Sequence, residues 1–241
     1  MSTRLGAGLA NKVKAIARQL HSTNFHFYLT ILQALVFRML SNTNEFFIGI
    51  ADSNRVNKDS INTIGCLVNL LPLKFDRAEF SNLDSAVKLT RSKVYSALQH
   101  SKVPFDVLVN ELEINRSTTH TPIFQIFMDY RLGDQEKTTL AGCDADISWN
   151  NAATGYDLHM EVLDTVAGES LVVLKVQEAL YSKEAAELLL DAFINLLEHA
   201  TKRPAEQVDL STPPLWSGKA IDSALTLGKG LLYFGDMRGH G

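Results

Sequence analysis

Cysteine is scarce in this 241-residue chain: Cys66 and Cys143 are the only two, far apart and without a C-x-x-C or metal-ligand spacing. That pattern excludes a disulfide framework and gives no basis for a zinc site, and the two isolated thiols are expected to be reduced and buried. Excess charge of either sign is also missing. A net charge of -4 and a pI near 6.0 give no electrostatic reason to expect nucleic acid or an anionic membrane as partner. No stretch reaches about 18 consecutive apolar residues, and the N-terminus has no long apolar run after its basic residues. A membrane span and a secretory signal are therefore not expected, and the cytoplasm is the expected compartment. Neither G-x-S-x-G nor a Walker loop occurs, since Leu227-Gly228-Lys229-Gly230 lacks the earlier glycine that a phosphate cradle requires. None of the seven histidines sits in a pair or in H-x-x-x-D, the kind of context that would mark a general base.

What the chain does have is 46% hydrophobic residues in two kinds of periodicity, enough for one large or two small cores. Leu9, Val13, Ile16, Ala17 and Leu20 recur at helical spacing. After a break at 21–24, so do Phe25, Tyr28, Leu29, Leu32, Val36, Met39 and Leu40. Ser81-Asn82-Leu83-Asp84 has capping-box form ahead of an amphipathic run that ends near Ser101, and Pro104 introduces a short helix over 105–112. Four strand candidates follow, Ile123–Tyr130, Asp144–Trp149, Tyr156–Leu163 and Ser170–Gln177. Ser182 then caps a last helix with a long apolar stripe, which Pro204 stops. Residues 205–241, punctuated by Pro and Gly, read as a linker that is open to proteases.

The stretch around which the rest is organised is Glu45–Phe75. Phe46, Phe47, Ile48 and Ile50 predict one buried strand and Ile64–Leu73 a second, bracketing a polar connection. Asn69 inside so apolar a run must find a hydrogen-bond partner, because an unpaired buried amide costs about 1–3 kcal/mol. It is either a satisfied structural amide or a site residue. Arg55, beside the first strand, raises the same question and is expected to need a carboxylate.

Three segments of this sequence carry a family resemblance. Ile64-Gly65-Cys66-Leu67-Val68-Asn69-Leu70-Leu71-Pro72-Leu73-Lys74 resembles the fifth core motif of nonribosomal peptide synthetase condensation domains. His100-Ser101-Lys102-Val103-Pro104-Phe105-Asp106 resembles the sixth, and Arg116-Ser117 through Pro122-Ile123-Phe124-Gln125 the seventh. Order and spacing agree; Leu70, Lys74 and Thr121 depart from the usual Thr, Arg and Asn. The linker region is similar to that of fungal polyketide–peptide hybrid synthases.

The resemblance implies an α/β chloramphenicol-acetyltransferase-like subdomain, the C-terminal half of a two-lobed fold, over residues 1–204, with 205–241 leading toward an adenylation domain. The family's catalytic H-H-x-x-x-D-G motif is not found in the chain, so the catalytic half is expected to be supplied from outside it. In the family the intact domain joins a carrier-bound acyl or polyketide thioester to a carrier-bound amino acid. The partners implied are acyl and peptidyl carrier proteins and an N-terminal condensation subdomain. No cofactor is implied beyond the carriers' phosphopantetheine arm. Arg55 is expected to clamp the catalytic-motif Asp across the two lobes and Asn69 to face the tunnel. Asp157, in Tyr156-Asp157-Leu158, matches the family's Y/F-D-L strand start, although a strand-end Asp making local hydrogen bonds explains it nearly as well. Two other functions stay open: a non-catalytic docking module, and an independent acyltransferase with an unrecognised base.

Overall fold

Six strands pair into one sheet, and helices pack against it. This computed structural model describes the whole chain except residues 41, 56–57, 81, 118–119, 134–136, 141, 147–153, 166–167, 204, 206–207, 212–214 and 217–241. Along the chain come β1 (Ser2–Leu5), α1 (Ala7–Gln19), α2 (Asn24–Met39), β2 (Glu45–Asp52), a one-turn α3 (Lys58–Ile61) and β3 (Asn69–Asp76). Then follow α4 (Leu83–Gln99), α5 (Phe105–Glu111), β4 (Ile126–Leu132), β5 (Lys137–Leu140), β6 (Cys143–Asp146), β7 (Leu158–Asp164), β8 (Ser170–Val176) and α6 (Lys183–Ala200). The sheet order is β1-β8-β7-β4-β2-β3; β2, β4 and β7 run parallel, and β1, β3 and β8 are antiparallel to their neighbours, which makes the sheet mixed. Among the described residues β5 and β6 pair with each other as a separate ribbon.

The central helix is α2, and its sequence says why. Every residue from His26 to Phe37 is buried, so it is apolar nearly all round and lies inside the helix layer, between the sheet, α4 and α6. Its N-terminus is closed by a capping box: Thr23 Oγ1 accepts from the His26 N–H, and His26 Nδ1 accepts from the Thr23 N–H. Polar side chains in this interior pair with one another, the Thr30 hydroxyl lying 2.8 Å from the His26 carbonyl and 3.0 Å from the Thr90 hydroxyl. Asn82 caps α4 and Ser182 caps α6, each through its side-chain oxygen.

On the sheet face away from these helices, Gly49 in β2 lies under the Phe124 ring. A Cβ built on Gly49 would stand 2.1 Å from Phe124 Cε2, so only glycine admits the ring. Phe124 is 1% exposed and is surrounded by Phe105, Phe127 and Tyr156, the last two stacked at 4.5 Å between centroids.

Several expectations shift. The second core strand begins at Asn69 rather than Ile64, because Gly65 turns the chain at φ 150° and Ile64 is fully exposed. Both cysteines are exposed, not buried, since Cys66 lies in that turn and Cys143 on the small β5–β6 ribbon. β1 and β5, too short and polar to register as periodic, were not anticipated. The strand expected at Ile123–Tyr130 starts at Ile126 because Ile123 adopts φ 71°. α6 ends before Pro204, and Ala205, Val208 and Leu210, inside the segment expected as linker, are buried against the core. The Val208 carbonyl accepts from the Leu83 N–H at 3.0 Å, which fastens this return to α4. Residues 217–241 of that expected linker lie outside the described residues.

Candidate functional site

The three motif segments meet at the end of the sheet where β2 finishes and β3 begins. Asp52 and Asn69 are cross-strand partners there. Beyond Asp52 the chain turns at Asn54, which has φ 55° and an N–H donating to Asp52 Oδ1 at 3.1 Å. Arg55 then points into the loop that follows. Its guanidinium donates to the carbonyls of Ser60 at 2.6 Å, Thr63 at 2.8 Å and Gly65 at 2.9 Å. Among the described residues its partners are peptide oxygens rather than a carboxylate: five donors in a rigid fork can satisfy several carbonyls of one tight loop at once.

Asn69 is fully satisfied. Its Nδ2 donates to the Ser101 and Val103 carbonyls, each at 2.8 Å, and its Oδ1 accepts from the Leu70 and Phe105 N–H groups, each at 3.0 Å. All four capacities of the amide are used, and it is 9% exposed. The amide that the sequence left open is thus satisfied by backbone partners. The fifth and sixth segments are thereby tied together, and the seventh joins them through the Phe105–Phe124 contact at 5.4 Å and the exposed Arg116–Asp106 ion pair at 3.4 Å.

Asp157 is not part of this cluster. Leu158 is in register with Ile126 and Ile48, so Asp157 lies level with Phe47 at the start of the parallel strands. The cluster begins at Asp52, about 17 Å away along the strand direction at ~3.3 Å per residue. The Asp157 carboxylate has the His120 imidazole 3.9 Å away, and its backbone carbonyl accepts from the Gln177 N–H.

Two charged groups that sequence reading missed lie in the sheet. Glu161, whose side chain is 7% exposed, is paired with Arg131 on β4 and with Lys175 on β8 at 3.2 Å. Asp164, also buried, accepts from Asn24 Nδ2 at 2.7 Å, Tyr130 OH at 2.8 Å and Ser170 Oγ at 2.5 Å. Burial, then Asp164, holds the Tyr130 phenol well above its ordinary range. The available signal was weak: acids inside the apolar runs of 158–164, with a lysine at an alternate position of 170–176 and an arginine in 126–132.

His26 and His159 are both neutral. Burial, reinforced by Arg91, lowers His26 to about 4. Burial, then Lys175 and Arg131 against Asp129, lowers His159 to about 4 as well. Each folded-state value is below the unfolded 6.5, so the unfolded chain binds more protons between pH 6.5 and 4. Stability should therefore be fully present above pH 6.5 and fall toward pH 4, by up to ~1.4 kcal/mol per pH unit for each histidine. Urea unfolding at pH 7.5 and 5 checks this; His26→Gln should reduce the slope, and a pH-independent midpoint would contradict it.

The family model for the condensation domain matches residues 1–214. The chain belongs to the condensation-domain family. Relatives at about 40% identity are fungal hybrid synthetases: it is 44% identical over 220 residues to the hybrid PKS-NRPS synthetase fsa1 of Fusarium sp. (strain FN080326). It is 43% identical over 220 residues to equisetin synthetase eqxS of Fusarium heterosporum. Each alignment covers 90% of this chain and 6% of the relative. Among solved structures, the condensation domain from the monacolin K polyketide synthase MokA superposes with a TM-score of 0.75 at 28% identity. That match covers 85% of this chain and 47% of the other, so this condensation-family chain spans about half of the solved chain. The four-domain nonribosomal peptide synthetase holo-AB3403 shares the fold, at 20% identity and a TM-score of 0.78. The chloramphenicol-acetyltransferase-like architecture expected from the motifs is thus the one observed.

Proposed function

We propose that this chain is the C-terminal half of a condensation domain that forms an amide between a carrier-bound acyl or polyketide thioester and a carrier-bound amino acid. The observation that carries the reading is the 47% coverage of the MokA condensation domain by a chain that contains three condensation motifs and no H-H-x-x-x-D-G. In the reaction the amine nitrogen attacks the thioester carbonyl, the C–N bond forms, the C–S bond breaks and the carrier thiol leaves. A positioned base that takes the ammonium proton contributes about 10²–10⁴-fold.

Three of the described histidines do not offer one. His26 caps α2, His159 is buried and neutral, and His100 bonds the Ser96 carbonyl at 2.8 Å. The base then belongs to a separate N-terminal subdomain, and the acyl and peptidyl carriers, with their phosphopantetheine arms, dock on the assembled pair. A downstream adenylation domain, reached through the C-terminal linker, would load the amino acid. In that assembly Arg55 holds its loop in shape, and Asn69 sets the 101–105 segment rather than touching substrate. Both act as positioning residues.

A second feature fits the half-domain reading. Ile61, Ile64 and Val68 on the Arg55 loop, with Val103, Val107 and Leu112 around α5, are all exposed. Apolar groups grouped near one end of a sheet are what a covering subdomain would bury. The isolated chain should therefore self-associate in sedimentation velocity, and a thioester aminolysis assay on it should yield no amide above the uncatalysed rate. Steady condensation by a clean monomer would instead make the chain an independent acyltransferase.

A further inference from the structure

A half-open cleft of about 410 Å³ lies at the start of the parallel strands, away from the motif cluster and unused by any step above. Its volume is within the range of small-ligand sites. Val36 and Leu40 at the end of α2 form one wall, and Ile126 and Leu158 form the other. Into this apolar space come Asp157, with a side chain 21% exposed, and Tyr181. Burial, then Asp157, raises the Tyr181 phenol and keeps it protonated. Gln125 also lines the cleft; its Nε2 donates to the Thr121 carbonyl at 3.0 Å, leaving Oε1 to accept.

Glu45 at the rim is paired with Lys74 at 2.6 Å, His120 stands 3.9 Å from Asp157, and no lysine or arginine lines the cleft among the described residues. Ile123 at the edge holds φ 71°, a conformation a β-branched residue adopts only when its surroundings impose it. Here Thr121 Oγ1 donates to the Phe124 carbonyl, and the packed Phe124 ring anchors the following residue.

We propose that this cleft binds a small organic ammonium, a primary amine carried on a compact apolar group. The ammonium is recognised by Asp157 and Gln125 Oε1, and the apolar part lies between Leu40 and Leu158. A carboxylate set among apolar walls favours a cation over a neutral or anionic group of the same shape. The site lies apart from the Asn69 cluster, although Gln125 closes the seventh motif segment and Asp157 lies in Tyr156-Asp157-Leu158.

The test is titration of the 241-residue chain with phenethylammonium chloride, followed by calorimetry or backbone amide shifts, beside phenethyl alcohol and 3-phenylpropionate. Saturable binding of the ammonium is expected, with Asp157→Asn and the neutral alcohol each weaker by at least about tenfold, the scale of one charge-assisted hydrogen bond. Leu40 is exposed enough to be replaced without loss of fold, and Leu40→Lys should abolish binding by placing a cation at the mouth. No saturable binding, equal affinity for the alcohol or the anion, or unchanged binding by both variants would overturn the proposal.

Discussion

Gly49→Ala is expected to destabilise the fold by about 3 kcal/mol, the upper range for overpacking a filled interior. The added Cβ would sit 2.1 Å from Phe124 Cε2 and 2.4 Å from Cζ. A surface side chain would swing aside, but this ring is 1% exposed and held by Phe105, Phe127 and Tyr156. Relief therefore requires either β2 or the 121–125 segment to move, and both carry pairing that would be lost: β2 is bonded to β3 and β4, and Thr121 is bonded to Phe124. Chemical denaturation measures the cost. Phe124→Leu removes the clashing ring atoms, so the double variant should be more stable than the sum of the two single effects predicts, by more than about 1 kcal/mol. Strict additivity would show that the ring and the glycine are not in contact.

Asn69→Leu should cost a comparable amount, about 3 kcal/mol. The replacement has similar volume and leaves the Phe105 and Leu70 N–H groups and the Ser101 and Val103 carbonyls without their side-chain partner. Buried backbone groups left unpaired cost about 1–3 kcal/mol each, reduced here because part of the segment reaches water. The loss should be local as well as global. Hydrogen exchange at Phe105 and through α5 should accelerate more than exchange in α2, because the amide fastens the 101–105 segment and nothing in the helix layer. Unchanged protection at Phe105 would mean that the amide does not hold that segment.

The helices were legible because their apolar positions recur with the helical period and their caps are local: Thr23, Asn82 and Ser182 each lie at or beside a break that the sequence marks. The strands were legible in place more than in extent. Ile64 and Val68 continue an apolar run that by pattern alone belongs to β3, yet Gly65 turns the backbone and leaves both exposed. Composition cannot separate an apolar residue awaiting a covering surface from one already in the core. The motif segments could be found by spacing, but what they do to one another could not, since Asn69 bonds residues 32 and 34 positions on. Arg55 illustrates the same limit. A lone guanidinium near a sheet end suggests a carboxylate partner, whereas three carbonyls of its own loop take that place. Parallel pairing of β2, β4 and β7 also puts Asp157 at the opposite end of the sheet from Arg55 and Asn69, a separation that no local pattern encodes.

The half-domain reading is tested most directly by supplying what it says is missing. A matching N-terminal subdomain with the H-H-x-x-x-D-G motif should be added to the chain, in trans or fused, with an acyl-loaded and an aminoacyl-loaded carrier, and amide product followed by mass spectrometry. Product is expected only when both halves are present, at a rate about 10²–10⁴-fold above either half alone. Equal product from this chain with and without the added subdomain would contradict it.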